Sequence, residues 1–171
     1  MLPGSGGVFD EDRPMNVKRI LVPLDGSEAA EAALPVASEL ARTSEAKLLV
    51  IRVTDARFEP YPAPIEAGLS RIREAETYLT LIRERLGVSA GQVATFLWHG
   101  SPAAAIVKAA RDYQIDMIIM TTHGRTGRAK EMFGSVAEAV LGGVTVPVLV
   151  VRPTGVVVQA PPGEAAPSSA P

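Results

Sequence analysis

"DMIIMTTHGRTGRAKEMFGSVAEAVLGGVTVPVLVV", residues 116–151, is the stretch on which the reading of the fold turns. It opens with strand character over residues 117–120 and closes with a second apolar run from Val146 to Val151. Between them lies helical character over residues 136–141, preceded by a segment, residues 121–135, holding three glycines, two arginines and a lysine. A connection of this kind needs about 2–6 residues, and this one is roughly twice that length, so it is expected to do more than turn the chain.

Working outward, the same kind of apolar, β-branched run recurs at residues 18–24 (KRILVPL), 46–53 (AKLLVIRV), 92–98 (QVATFLW) and 116–121 (DMIIMT). Near-continuous apolarity, rather than alternation, suits strands covered on both faces of a parallel sheet. Helical segments fill the gaps. Ile65, Leu69, Ile72, Leu79, Ile82 and Leu86 fall on one stripe that Gly87 closes. Ala103, Ile106, Val107 and Ala110 form another, opened by Ser101 as cap and Pro102 at the first helical position. The segment SEAAEAALPVASELA carries Pro35 inside it, which should kink the helix. The alternation reads β-α-β-α-β-α-β-α-β, an α/β sandwich in a single domain.

Composition narrows the class. The 171 residues are 47% hydrophobic and 21% charged, as in an ordinary globular protein. A net charge of −2 offers no bulk basic field, so neither nucleic acid nor a membrane is an expected partner. The absence of cysteine removes disulfides, cysteine nucleophiles and thiolate metal sites. No apolar run approaches the roughly 18 residues of a membrane helix, and residues 1–14 lack the apolar core of a signal peptide. A cytoplasmic location is expected. Residues 1–15 read as a disordered N-terminal extension, 16–153 as the folded domain, and 154–171 as a disordered Pro/Ala-rich tail.

Sheets of this type bind ligands at the carboxyl ends of strands, where the strand order reverses. Two strand ends carry unusual polar chemistry: PLDGSE after the first strand and the glycine-rich segment after the fourth. Gly124, Gly127, Gly134 and Ser135 lead into a helix start with Arg125, Arg128 and Lys130 alongside, a composition suited to a phosphate chain. Ser135 followed by Glu138 is equally a capping box, with the basic residues as a solvated loop. Asp25 is also double-edged: with Glu28 it reads as a helix N-cap pair, and at a strand end it can hold ribose hydroxyls or a metal–phosphate cluster. His99 and His123 each precede a glycine at a strand end; His123 reads as a polar loop residue, with contact to the ligand as the other reading.

RILVPLDGSEAAEAAL, HGSPAAAIVKAARDYQIDMIIMTTHGRTG and GSVAEAVLGGVTVPVLVVRP together resemble the universal stress protein family, over residues 17–153 and in the usual order. The family's nucleotide motif is Gly-x-x-Gly, nine residues, then Gly-Ser or Gly-Thr; here Gly124 is the second glycine, residues 125–133 are the nine, and Gly134-Ser135 complete it. The resemblance implies a Rossmann-like sandwich with a five-stranded parallel sheet in order 3-2-1-4-5, the ATP-binding subgroup, and ATP with Mg²⁺ as ligand. Carried over by position, the nucleotide-binding residues are Pro23, Asp25, Val53, Thr121, Gly124, Gly134, Ser135 and Val136. The motif's first glycine is Thr121 here, so a Cβ and a hydroxyl stand where backbone meets the ligand; ATP binding is expected to survive this, at some cost in affinity.

The implied role is a stress-response sensor or regulator with at most slow ATP hydrolysis. Rapid phosphoryl transfer needs metal ligands, a lysine on the phosphates and a positioned base, and no G-x-x-x-x-G-K-[ST] loop, dinucleotide fingerprint or nucleophile elbow is present. The alternative is a dimeric interaction module with a vestigial nucleotide site. In the family order the last strand, from Val146 to Val151, is an apolar edge, and the resemblance implies a homodimer paired through it, with Pro147 tolerated at its start. The segment TDARFEPYPAPI after the second strand reads as a surface connection, with a cover over the adenine as the other reading.

Overall fold

The computed structural model describes residues 16–54, 65–87, 92–122 and 134–152. The strands are β1 (Arg19–Leu24), β2 (Lys47–Thr54), β3 (Val93–His99), β4 (Met117–Thr121) and β5 (Val148–Val151). The helices are α1 (Glu28–Glu31), α2 (Ala33–Ser44), α3 (Ile65–Arg85), α4 (Pro102–Asp112) and α5 (Ser135–Gly143). All five strands are parallel and lie in the order β3-β2-β1-β4-β5. This is the α/β Rossmann-like sandwich that the family resemblance implies.

The sheet carries a core on each face because successive side chains on a strand point opposite ways. Ile20, Val22, Leu24, Leu48 and Val50 pack with Ala33, Leu34 and Ala37 of α2 and Leu79 and Ile82 of α3. Leu21, Leu49, Ile51, Ile118 and Met120 pack with Ile106, Ala109 and Ala110 of α4 and Ala137 and Val140 of α5. Both parities of each central strand are therefore buried, which is why those strands read as unbroken apolar runs. Full burial of an Ile or Val side chain such as Ile20 or Val22 stabilises the fold by about 1.5–3 kcal/mol.

The reversal of strand order lies between β1 and β4, which share the register Ile20↔Met117 and Leu21↔Ile118. Asp116 fastens the entrance of this pair. Its carboxylate accepts the backbone N–H groups of Lys18 at 2.9 Å and Arg19 at 2.8 Å, while its own N–H donates to the Arg19 carbonyl at 2.9 Å. The two strands are parallel, so their carboxyl ends lie at the same edge of the sheet.

Pro35 acts as expected, and the result is a break rather than a bend. The helix stops at Glu31 and restarts at Ala33, with Ala32 serving both pieces as cap. A proline at 35 has no N–H for the Glu31 carbonyl, and its ring crowds that carbonyl. Gly87 ends α3 at a φ of +56°, where its N–H bonds the Glu84 carbonyl at 3.1 Å. One member of the α3 stripe is not core: Leu69 is 48% exposed, whereas Ala75, Leu79 and Ile82 are buried. The proline-rich segment 55–64, the loop 123–133 and both chain ends fall outside the described residues, so no structure is assigned to those readings.

Candidate functional site

The first wall of the crevice is the turn between β1 and α1. Asp25 Oδ1 accepts both the Ser27 backbone N–H at 2.9 Å and the Ser27 hydroxyl at 2.6 Å. Ser27 Oγ in turn accepts the Ala30 N–H at 3.2 Å, as N-cap of α1. The cap is thus Ser27, not the Asp25–Glu28 pair allowed by the sequence. Asp25 stands one step back, oriented by the capping residue, and Gly26 makes the intervening bend at a φ of +84°. A residue without a side chain adopts that left-handed conformation at no steric cost.

The second wall is the start of α5. Gly134 occupies the N-cap with a φ of −71° and a ψ of 156°, an extended conformation open to any residue. What requires glycine is space: a Cβ built there would stand 2.9 Å from the carbonyl oxygen of Thr122. The same carbonyl accepts the Gly134 N–H at 2.7 Å. This bond ties the two ends of the loop 123–133 together and sets α5 directly beside the end of β4. The capping-box reading of Ser135 and Glu138 is corrected accordingly. Ser135 is the first residue inside the helix, and no side chain caps it. The Gly134–Thr122 contact, not a local hydroxyl, decides where the helix begins.

An α-helix leaves its first N–H groups without intrahelical partners and carries about half a positive charge at that end. Those groups belong to Ser135, Val136 and Ala137, in the helix that follows β4 at the reversal of strand order. Ser135 is exposed and Val136 half-buried.

Val53 enters from a third direction. Lys47 of β2 donates its N–H to Lys18, and Leu48 donates to Gln92, so odd-numbered residues of β2 turn their backbone groups toward β1. The β1–β2 register ends at Leu24↔Arg52. The Val53 carbonyl therefore faces the β1 side one residue beyond the end of that strand. Its side chain and that of Pro23 lie on the α4/α5 face, by the same alternation that places Leu21 and Ile51 there.

Thr121 is the departure from the family motif. It is 7% exposed at the end of β4, opposite Val151 in the register. Strand alternation sends its side chain to the Ile119 face, the one covered by α2, while Pro23 and Val53 lie on the Met120 face. The extra Cβ is housed in the opposite core rather than in the crevice. Gly124 lies outside the described residues, with Arg125, Arg128 and Lys130. Among the described residues no cluster of three His, Cys, Asp or Glu side chains could hold a metal ion.

Two contributors escaped the sequence reading. Ser27 orients Asp25, and Thr122 supplies the carbonyl that anchors α5. The first had a signal, since Asp-Gly-Ser before a helix is a common turn-and-cap arrangement. The second had none, because a backbone carbonyl has no residue-type signature.

Among the described residues, no helix is long and apolar enough to cross a membrane. The model of the universal stress protein family matches residues 16–152. Universal stress protein MJ0531 of Methanocaldococcus jannaschii is 33% identical over 144 residues, covering 79% of this chain and 82% of the relative. Putative universal stress protein SH1215 of Staphylococcus haemolyticus is 34% identical over 144 residues, covering 81% and 86%. Among solved structures, hypothetical protein MJ0577 superposes with a TM-score of 0.71 at 33% identity, over 80% of this chain and 96% of that one. Universal stress protein UspA of Lactobacillus plantarum superposes with a TM-score of 0.68 at 28% identity, over 80% and 99%. A universal stress protein solved in complex with cAMP shares the fold at a TM-score of 0.60 and 24% identity, over 81% and 99%. The family match spans every strand and helix around the crevice, and on that ground the chain belongs to the universal stress protein family.

Proposed function

We propose that the crevice between the β1–α1 turn and the start of α5 binds an adenine nucleotide, ATP, and that the protein is a cytoplasmic stress-response sensor or regulator rather than a fast catalyst. The observation that carries this reading is the Gly134–Thr122 contact. It holds an uncapped helix N-terminus at the strand-order reversal, where an anion is stabilised by free N–H groups and the helix dipole. Ser135 and Val136 would meet the phosphates, together with Gly124 from the intervening loop. Asp25 would meet the ribose, and the Val53 carbonyl and Pro23 would meet the adenine. Thr121 takes part by housing its side chain away from the ligand.

Among the described residues Asp25 is the one carboxylate placed at the crevice, with Oδ1 accepting from Ser27, so a Mg²⁺ ion would ride chiefly on the nucleotide's phosphates. Such an ion would supply charge neutralisation to the phosphates. With Asp25 as the one acid there among the described residues, its Oδ1 held by Ser27, slow hydrolysis is expected. We take residues 16–153 as the functional unit.

Calorimetric titration of the full chain with ATP and Mg²⁺ tests the reading. Saturable heat, lost in Asp25→Ala, is expected; no heat and no thermal stabilisation at millimolar ATP would overturn it.

The second reading, a dimeric interaction module with a vestigial site, is favoured by the sheet edge. Among the described residues β5 pairs with β4 on one side only, and Leu149 is 40% exposed on it. An open apolar edge invites pairing, and a second copy joined strand to strand would close it symmetrically. A homodimer is compatible with either reading; ATP titration separates them.

A further inference from the structure

Arg52 and Val53 are consecutive on β2, so their side chains leave opposite faces of the sheet. Val53 joins the α4/α5 side, whereas Arg52 joins the side covered by α2 and α3. On that reverse side Gly26, Arg52, Glu74, Thr77, Tyr78 and Leu81 line an open depression of about 350 Å³, with Glu74, Thr77 and Leu81 on its exposed rim. The size lies at the lower end of small-molecule sites, about 300–1,000 Å³.

The Arg52 guanidinium is held in place from two sides. Its central carbon lies 4.7 Å from the centroid of the Tyr78 ring, a cation–π contact. It also rests on Gly26, where an added Cβ would stand 2.9 Å from Nη2. Yet Arg52 forms no ion pair among the described residues, whose ion pairs are Arg42–Glu39, Arg85–Glu31 and Lys108–Asp112. A half-buried, positioned guanidinium without a carboxylate presents a fork of N–H donors shaped for one.

The rest of the lining defines what the carboxylate should be attached to. Glu74 disfavours a multiply charged anion such as phosphate and attracts an ammonium group. Thr77 donates its hydroxyl to the Arg73 carbonyl at 2.8 Å, which leaves the oxygen lone pairs as acceptors. Leu81, 53% exposed, adds an apolar wall. The lining itself offers one cation, one anion, an acceptor hydroxyl and an apolar surface. The carboxylates of Glu31 and Asp25 are also close enough to act on Tyr78. This set matches a zwitterion with an aliphatic body better than a multiply charged anion.

We propose that this depression is a second ligand site, on the face of the sheet opposite the nucleotide crevice, for a small aliphatic α-amino acid. The carboxylate takes the Arg52 fork, the ammonium group faces Glu74 and Thr77, and the side chain lies on Leu81. The proposal does not rest on nucleotide binding.

The test is an amide NMR titration of the full chain with three probes: leucine, 4-methylpentanoate (the same skeleton without the ammonium group) and inorganic phosphate. Leucine should shift the amides of Gly26, Arg52, Thr77 and Leu81 saturably and leave Ser135 and Val136 in place. The 4-methylpentanoate should bind at least about tenfold more weakly, the loss expected for a hydrogen bond between charged groups. Arg52→Gln should abolish the response and Arg52→Lys should keep a weakened one, with the dispersed spectrum itself reporting that each variant is folded. Glu74→Gln should remove the preference for leucine over 4-methylpentanoate, a change that a merely structural role would not produce. Absence of saturable shifts at tens of millimolar leucine would overturn the proposal. So would an unchanged response in Arg52→Gln, equal binding of the two organic probes, or phosphate moving the same amides as strongly.

Discussion

Gly134→Ala is the sharpest test of how the crevice is built. The substitution adds one methyl group at an extended φ of −71°, so the backbone itself is not strained. The methyl carbon, however, would lie 2.9 Å from the Thr122 carbonyl oxygen, well inside contact distance. That oxygen cannot easily retreat: Thr122 is buried, and its N–H is bonded to the Val151 carbonyl at 3.3 Å. The start of α5 must shift instead, stretching the 2.7 Å bond from Gly134 to Thr122. Overpacking costs about 1–3 kcal/mol and loss of the hydrogen bond about 0.5–1.5 kcal/mol, so a destabilisation of about 2–4 kcal/mol is expected. For a domain of this size that lowers Tm by roughly 5–15 °C, readable by circular dichroism. Gly142→Ala is the internal control. It lies in the same helix with nothing within 4 Å of an added Cβ, and alanine is the better helix former, so it should stabilise by up to about 1 kcal/mol. Calorimetry on the folded Gly134→Ala protein should also show weakened ATP binding, because the helix mouth has moved. A Tm within a degree of the parent would refute the steric argument, and unchanged ATP affinity would remove the helix mouth from the nucleotide site.

Ser27→Ala removes the N-cap of α1 and the hydroxyl that Asp25 accepts, so it should cost about 1 kcal/mol in urea denaturation and weaken ATP binding through a disoriented Asp25. Tyr78 has its hydroxyl pKa raised well above the usual tyrosine value, first by burial and then by Glu31 and Asp25, with Arg52 opposing. The folded state therefore holds that proton more tightly than the unfolded chain. Stability should be intact below about pH 10, where unfolded tyrosine titrates, and should fall as pH rises beyond it. Tyr78→Phe should flatten that alkaline loss in denaturation curves taken between pH 9 and 11 (about one unit either side of the unfolded value). Leu149→Lys on the open edge should abolish self-association in sedimentation velocity, and a parent chain that stays monomeric at every concentration would dismiss the strand-paired dimer.

Much of the fold was legible because its dominant cause is local composition. A strand buried on both faces must be apolar at every position, so the central strands could be placed to within about a residue or two. Pro35 was legible too, since its missing N–H acts on its own helix whatever surrounds it. Leu69 was misread, because periodicity shows which face of α3 is apolar but not how far along the helix the sheet covers it. The capping box failed for a related reason. Ser135 and Glu138 satisfy the pattern, yet a carbonyl thirteen residues before Ser135 pulls the cap to Gly134.

The amino-acid sequence alone determined that alternating strands and helices would form, that the polar chemistry would gather after the first and fourth strands, and, through its motifs, which family it resembles. These follow from backbone preferences and from the apolar demand of each segment taken separately. Only the tertiary structure decided that Gly134 is needed for space beside Thr122, that Thr121 turns its side chain into the far core, and that Arg52 lies against Gly26 over the Tyr78 ring. Each of those depends on which atoms from distant segments share a few cubic ångströms, a relation that exists only after the sheet has assembled.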